Sequence, residues 1–240
     1  MNRAVIQPGG QGLRLRPYTT ILPKPLLPVG DCPILEVMIR QLVRAGFDDI
    51  TITVGHLGHL IRAVIGDGSQ FGAHVTYTQE DEPRGTIGAV RQALRLDRPF
   101  LVMNGDLLTD FDFRGLLDAH VSSAADLSVG IYHKRVPVSL GVFDLDGESR
   151  IVGFREKPVL SFPCSMGIYA FSPKLAALIP ERGVFGFDDL MELCLARGIH
   201  VRAHPFDGLW YDIGRPEDYE EAVEEFQKHR ERILPGQANA

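Results

Sequence analysis

The sequence predicts an α/β protein built on a mainly parallel sheet with helices on both faces and a smaller β-rich lobe fused to it. Three observations lead there. Through the first half of the chain, short apolar runs alternate with helix-period segments, as strands joined by crossover helices require. Phe100–Met103 is apolar at every position, the mark of a strand buried on both faces. From Leu127 onward, short strand-like runs follow one another with turn signals such as Asp146-Gly147 between them.

The elements read in order as follows. Ala4–Ile6 is the first strand. Pro33–Ala45 is a helix, with Pro33 suited to its first position and Gly46 to the residue after its cap. Ile34, Met38 and Leu42 form one stripe of it, and Glu36, Arg40 and Arg44 its wet face. Ile50–Val54 is a strand, residues 59–65 a helix, Val75–Tyr77 a strand, Thr86–Leu94 a helix and Phe100–Met103 a strand. The second half offers strands at Leu127–Tyr132, Leu140–Asp144, Ile151–Arg155 and Gly167–Phe171. Helices return at Pro173–Leu178, Phe187–Ala196 and Pro216–His229, the last two with acidic residues in their first turns. With no linker composition in between, residues 1–135 read as one lobe and 136–234 as a second, fused across a cleft, with 235–240 as a frayed tail.

Composition narrows the function classes. A chain of 240 residues with 45% hydrophobic content buries a core without disulfides or structural metals. A net charge of −6 supplies no basic field for nucleic acid. The three cysteines are odd in number and lack metal-ligand spacing, which fits free thiols in a reducing cytoplasm. No segment has the length and apolarity of a membrane span or of a signal peptide's core. The expected setting is therefore cytoplasmic, without nucleic-acid or membrane partners.

The densest motif is Gly9-Gly10-Gln11-Gly12-Leu13-Arg14, directly after the first strand. Glycines let the backbone turn sharply and bring N–H groups to an anion. Arg14, and Lys24 ten positions on between Pro23 and Pro25, add positive charge. The pattern is neither a dinucleotide fingerprint, which needs a third spaced glycine, nor a P-loop, which needs Gly-Lys-Ser/Thr. By itself it is equally a tight turn. Asn104-Gly105-Asp106 follows the buried strand, where ligands of parallel sheets bind. Asp106 there suits Mg²⁺ beside polyphosphate, with Gly105 leaving room for the ligand, or else the motif is an ordinary turn. Asp212, in Trp210-Tyr211-Asp212-Ile213-Gly214, is a second such carboxylate or a helix cap. Glu156-Lys157 could hold sugar hydroxyls and phosphate, or form a solvated turn. Between Glu80 and Thr86, a carboxylate could accept hydrogen bonds from a nucleobase and Thr86 could cap the helix that follows. His56 and His59 lack a third ligand and read as surface residues.

Taken in order along the chain, these motifs resemble the sugar-1-phosphate nucleotidyltransferase family. Beside those already quoted, Pro23-Lys24-Pro25, Gly85-Thr86-Ile87-Gly88 and Glu156-Lys157-Pro158 fit its signature. The resemblance is nearest to short bacterial members that use GTP with mannose- or heptose-like 1-phosphates. It implies a Rossmann-like three-layer αβα fold and a reaction in which NTP and sugar 1-phosphate give NDP-sugar and pyrophosphate. It implies that Arg14, Lys24, Asp106 and Asp212 are catalytic, with Asp106 and Asp212 on Mg²⁺. It places the nucleotide at Pro8, Gly9, Gly10, Gln11, Gly12, Leu13, Glu80, Gly85 and Thr86. The sugar phosphate falls to Gly141, Glu156, Lys157 and Gly167, the two glycines leaving space for the ring. Thymidylyl or uridylyl transfer to glucose 1-phosphate is the alternative within the class, and a catalytically weak nucleotide-sugar-binding paralogue the alternative outside it. A homodimer is possible. The departures from the signature lie in the loop, at Gln7, Pro8 and Leu13, where the family carries Leu, Ala and Thr. Pro8 removes an N–H from any base contact.

Overall fold

The computed structural model describes residues 2–8, 10, 12–80, 82–93 and 97–236. In chain order these form β1 (Asn2–Gln7), β2 (Pro28–Val29), β3 (Cys32–Pro33), α1 (Ile34–Arg44), β4 (Phe47–Val54), α2 (Gly58–Ile65), β5 (His74–Gln79), β6 (Phe100–Asn104) and β7 (Leu107–Thr109). There follow α3 (Phe113–Ser123), β8 (Leu127–Pro137), β9 (Val142–Leu145), β10 (Ile151–Arg155), β11 (Val159–Phe171), α4 (Pro173–Ala176), α5 (Phe187–Ala196), β12 (Val201–Phe206), β13 (Trp210–Asp212) and α6 (Pro216–Ile233).

Seven strands make one sheet in the order β12-β8-β11-β6-β1-β4-β5. Four of its six pairings are parallel, and β11 runs antiparallel to both of its neighbours. The mixed, mainly parallel sheet expected from the sequence is therefore present. Its central strands β1 and β6 are apolar on both faces because both faces are covered there. Ala4, Ile6, Ile52 and Met103 pack with Ile34, Met38, Leu42 and Phe226 on one side. Val5, Val102 and Phe171 pack with Ile87, Val90, Leu190 and Cys194 on the other. Register brings the carboxyl ends of the parallel strands level: Gln7 lies opposite Asn104, Ile6 opposite Ile52 and Val54 opposite Gln79. The loops that leave those ends gather along one edge, as the site requires.

Several elements differ from expectation, each for a physical reason. The helix expected over Thr86–Leu94 is a run of turns with one 3-10 turn at Val90–Gln92, and Leu94 lies outside the described residues. Phe185 takes the groups that a helix would use. Its N–H donates to the Arg84 carbonyl, and its own carbonyl accepts from Ile87 and Gly88. Thr86 caps a different helix: its hydroxyl accepts from the Phe187 amide at the start of α5, at 3.0 Å. Pro33 is the residue before α1 and not its first, while Gly46 has the expected left-handed φ of 83°. Helix α3 is an element beyond those expected. Asp112 caps it by accepting from Gly115 N, and Phe113, Leu116, Leu117 and His120 form its buried stripe.

β8 and β11 extend well beyond their apolar cores, because their outer halves pair with each other in the open. α6 kinks at His229, where its end was expected, and continues to Ile233. Its docking on its own chain is specific. Phe226 lies against Gly30, Arg230 is bidentate to Asp31, and Tyr219 donates to the Pro28 carbonyl. The Ile233 carbonyl accepts from Gln41 and that of Pro235 from Arg44, so the chain is tied down into the segment expected to fray; residues 237–240 lie outside those described.

His120 is buried on α3 and hydrogen-bonded through Nδ1 to the Ser128 hydroxyl at 2.9 Å. Burial lowers its pKa from 6.5, against the pull of Asp126. The folded state thus favours neutral imidazole, and the unfolded chain binds the extra proton. Stability is full above the unfolded value and is lost as pH falls through it. Thermal unfolding followed by circular dichroism should show a midpoint that drops between about pH 7 and pH 5. The drop should be shallower in His120→Gln.

Candidate active site

Three loops and one ribbon build the site from the sheet edge. The first leaves β1 at Gln7. Pro8 is buried, Gly10 is exposed with nothing within 4 Å of where a side chain would begin, and Gly12 has φ 63°. Thr19 fixes the loop, its hydroxyl donating to the Gly12 carbonyl at 2.6 Å. A methyl group on Gly12 would lie 2.9 Å from the Thr19 methyl, so both φ and packing call for glycine there. Gly9 and Gln11 lie outside the described residues. Leu13 opens a 3-10 turn and is 57% exposed, whereas Leu15 in the same turn is buried. That turn points Leu13 away from the core and leaves Arg14 on the surface of a cleft.

Lys24 begins the second 3-10 turn after this loop, and its Nζ forms an ion pair with Asp106 Oδ2. Both side chains are buried. Burial pushes the Asp106 carboxyl above its ordinary range; Lys24 pulls it down and Asp212 pushes it further up. The other carboxylate oxygen, Oδ1, is buried without a hydrogen-bond partner. An unpaired buried oxygen of that kind is costly unless a ligand completes it.

Asp212 reaches the same place through the ribbon β7–β13. Asp212 lies opposite Leu107, and Ile213 donates its N–H to the Asp106 carbonyl at 3.2 Å. The two carboxylates are therefore neighbours by backbone pairing, despite more than a hundred intervening residues. Trp210 anchors the ribbon by donating to the Met166 carbonyl at 3.0 Å and packing on Tyr132. The start of α6 is capped by neither Asp212 nor any other side chain. Asp212, Arg14, Tyr132, Lys134, Arg215 and Asp218 line one cleft of about 550 Å³. A second, smaller pocket is lined by Pro8, Gly10, Thr19, Lys24 and His56.

Gly105, Gly141 and Gly167, expected to leave room for ligand, lie against atoms of the protein itself, as does Gly85. A methyl on Gly105 would lie 2.7 Å from the Pro8 Cα, and Gly105 N–H donates to the Gln7 carbonyl at 2.7 Å. The close approach welds the loop to the strand end. Gly167, with φ 71°, is filled by the Asn104 side chain, and Gly85, with φ 78°, by the Phe185 backbone. Gly141 lies under the Phe154 ring with Glu156 beside it. Glu156 and Lys157 are exposed after β10, Lys157 at φ 42°, and neither lines the cleft. Glu80 follows β5 and donates its backbone N–H to the Val54 carbonyl, at the sheet edge from which the loop after β1 also leaves. Lys134, Arg215 and Phe185 carry no motif, and their places arise only from tertiary pairing.

Among the described residues no group of three His, Cys, Asp or Glu could hold a metal ion. Two carboxylates with an unsatisfied oxygen nevertheless fit Mg²⁺, which takes one or two protein carboxylates and fills its shell with phosphate oxygens and water. No helix among the described residues is long and apolar enough to cross a membrane.

The nucleotidyl transferase family model matches residues 3–229. Mannose-1-phosphate guanylyltransferase of Mycobacterium tuberculosis is 32% identical over 223 residues, which are 90% of this chain and 62% of that protein. UTP–glucose-1-phosphate uridylyltransferase of Synechocystis is 31% identical over 243 residues, covering 92% and 62% respectively. The chain thus spans about 62% of the length of these curated relatives. Among solved structures, a Bacillus anthracis protein described as a glucose-1-phosphate thymidylyltransferase, bound to sucrose, superposes with a TM-score of 0.76 at 25% identity, covering 100% of this chain and 98% of that one. HddC from Yersinia pseudotuberculosis superposes at 0.74 with 25% identity, covering 94% and 100%.

The Gly105 contact yields a stability test. Gly105→Ala should lower unfolding free energy by about 1–3 kcal/mol, because backbone must move to admit the methyl. Gly10→Ala, which meets open space, should stay within about 0.5 kcal/mol of wild type. Urea unfolding of both variants separates the two cases.

Proposed function

The chain belongs to the nucleotidyl transferase family, and on that premise we propose that it joins an NTP to a sugar 1-phosphate, giving NDP-sugar and pyrophosphate. GTP with a mannose- or heptose-like 1-phosphate is the favoured pair. The observation that carries this reading is the buried Lys24–Asp106 pair, with Asp106 Oδ1 left unsatisfied beside Asp212. A buried ion pair that leaves one acceptor open is poor packing for stability alone. It suits a site completed by cation and phosphate.

The chemistry asks for alignment and charge, with little covalent work. A sugar-phosphate oxygen attacks the α-phosphorus, and the bond to the bridging oxygen of pyrophosphate breaks in line. The loop amides about Gly10 and Gly12, with Arg14, grip the triphosphate. Lys24 lies between the α-phosphate and the incoming sugar phosphate and offsets their repulsion. Asp106 and Asp212 would hold Mg²⁺, which when bound supplies charge neutralisation and Lewis-acid polarisation of phosphate oxygens. Glu80, Gly85 and Thr86 stand on the nucleoside side. Gly141, Glu156, Lys157 and Gly167 stand on the sugar side.

Glu80 supports guanine, whose N1–H and N2–H₂ both donate to one carboxylate. The mannose-1-phosphate guanylyltransferase relative points the same way. The uridylyltransferase relative keeps glucose 1-phosphate with UTP or dTTP as the second reading. The departures at Pro8 and Leu13 motivate a third, a weakly catalytic binder of nucleotide sugars, against which the retained Arg14, Lys24, Asp106 and Asp212 argue. Three unpaired cysteines are consistent with a cytoplasmic setting.

A homodimer is part of the proposal. Phe143, Leu145, Ile151, Val152 and Phe154 on the ribbon β9–β10 are each more than half exposed. A lone two-stranded ribbon is marginal in water, and Leu140, Val159 and Phe162 in the neighbouring segments are exposed as well. A second copy of the same ribbon is the occupant that this self-complementary face fits.

Two measurements check these statements. Pyrophosphate release over a grid of NTPs and sugar 1-phosphates, with and without Mg²⁺, should peak with GTP and require the ion. Lys24→Ala should lower the best rate by about 10²-fold or more; full activity in that variant would remove the mechanism. Light scattering should give twice the chain mass for wild type and the single chain mass for Phe143→Asp.

A further inference from the structure

We propose that the Gln7 side chain reads the nucleobase of the bound nucleotide; the proposal rests on the nucleotidyl-transfer reading above and adds to it a specificity-determining residue. Gln7 is 5% exposed, and its side-chain oxygen Oε1 is buried without a hydrogen-bond partner. Polar atoms in that condition are rare in folded proteins and mark places where a ligand or water completes the bond. Gln7 is also the last residue of β1, at the strand end from which the phosphate loop leaves.

Strand alternation fixes which way the side chain is directed. Ala4 and Ile6 face the core that contains α1 and α6, and Val5 faces the core that contains Ile87 and Val90. Gln7 lies two positions beyond Val5 and shares its face. That face is closed by the segment carrying Gly85 and Thr86, which Phe185 clamps in place. The Gln7 backbone is committed elsewhere, its carbonyl accepting from Gly105 at 2.7 Å. The next residue, Pro8, has no N–H. The strand end therefore cannot present a backbone donor at position 8, and the polar group that it does present is the side-chain amide one residue earlier. An amide offers an acceptor oxygen and an N–H₂ donor side by side. That pattern complements an imino N–H next to a carbonyl, the edge shared by guanine, uracil and thymine. Oε1 accepts from the imino N–H, which in guanine it shares with Glu80, and the amide donates to the neighbouring carbonyl.

Binding of a nucleotide and of a base-free mimic separates this role from phosphate binding. Affinities for GTP, UTP and inorganic tripolyphosphate, each with Mg²⁺, are measured by calorimetry for wild type, Gln7→Leu and Gln7→Met. Both variants should bind the preferred nucleotide roughly tenfold more weakly, the equivalent of one hydrogen bond, while tripolyphosphate affinity stays unchanged. Their unfolding midpoints should equal or exceed that of wild type, because an unsatisfied buried oxygen is gone. Unchanged nucleotide affinity, or equal losses for nucleotide and tripolyphosphate, would overturn the proposal. Wild-type protein that binds GTP and UTP no better than tripolyphosphate would overturn the parent reading and this one with it.

Discussion

The ion pair between Lys24 and Asp106 is the contact around which the site is assembled. It ties the loop after β1 to the end of β6, in a place with little water to screen either charge. Neither partner would be stable there alone, since an unpaired buried charge costs about 3–5 kcal/mol. The backbone around it is locked by Gly105, whose lack of a side chain lets Pro8 come within contact. Asp212 is then brought up by the β7–β13 ribbon. The sheet supplies the level edge, the loop supplies donors, and the ribbon supplies the second carboxylate.

Much of this was legible in the residues. The period of α1, the apolar run of β6 and the order of the motifs pointed to the sheet, its burial and the family. What was not legible depends on contacts between distant segments. The stretch after Gly85 carries helix-forming residues, but Phe185, a hundred positions away, occupies its backbone groups. β12 lacks an apolar run, its six residues including Arg202, His204 and Pro205, and β13 has only three residues; both exist because β8 and β7 pair with them. Gly105, Gly167 and Gly85 were readable as glycines with a purpose. Which atoms they admit was not, and in all three cases these are atoms of the protein itself. α3 is the exception, since Asp112 followed by the spacing of Phe113, Leu116, Leu117 and His120 was a readable helix signal.

The loop is also where this chain departs from the family's pattern, and the structure gives those departures a setting. Pro8 packs on Gly105 and leaves no donor, Leu13 sits on the surface, and Gln7 brings a polar group into a buried position. Arg14, Lys24, Asp106 and Asp212 keep that pattern, whereas the positions of this loop that differ from it are uncharged.

The central claim is that Lys24 and Asp106 act as one unit, and a double-mutant cycle tests it most directly. Rates of pyrophosphate release are compared for wild type, Lys24→Ala, Asp106→Asn and the double variant. Groups that work as a unit give strongly non-additive effects, so the double variant should be about as slow as the slower single variant. Losses that simply multiply would show two independent contributions and contradict the account.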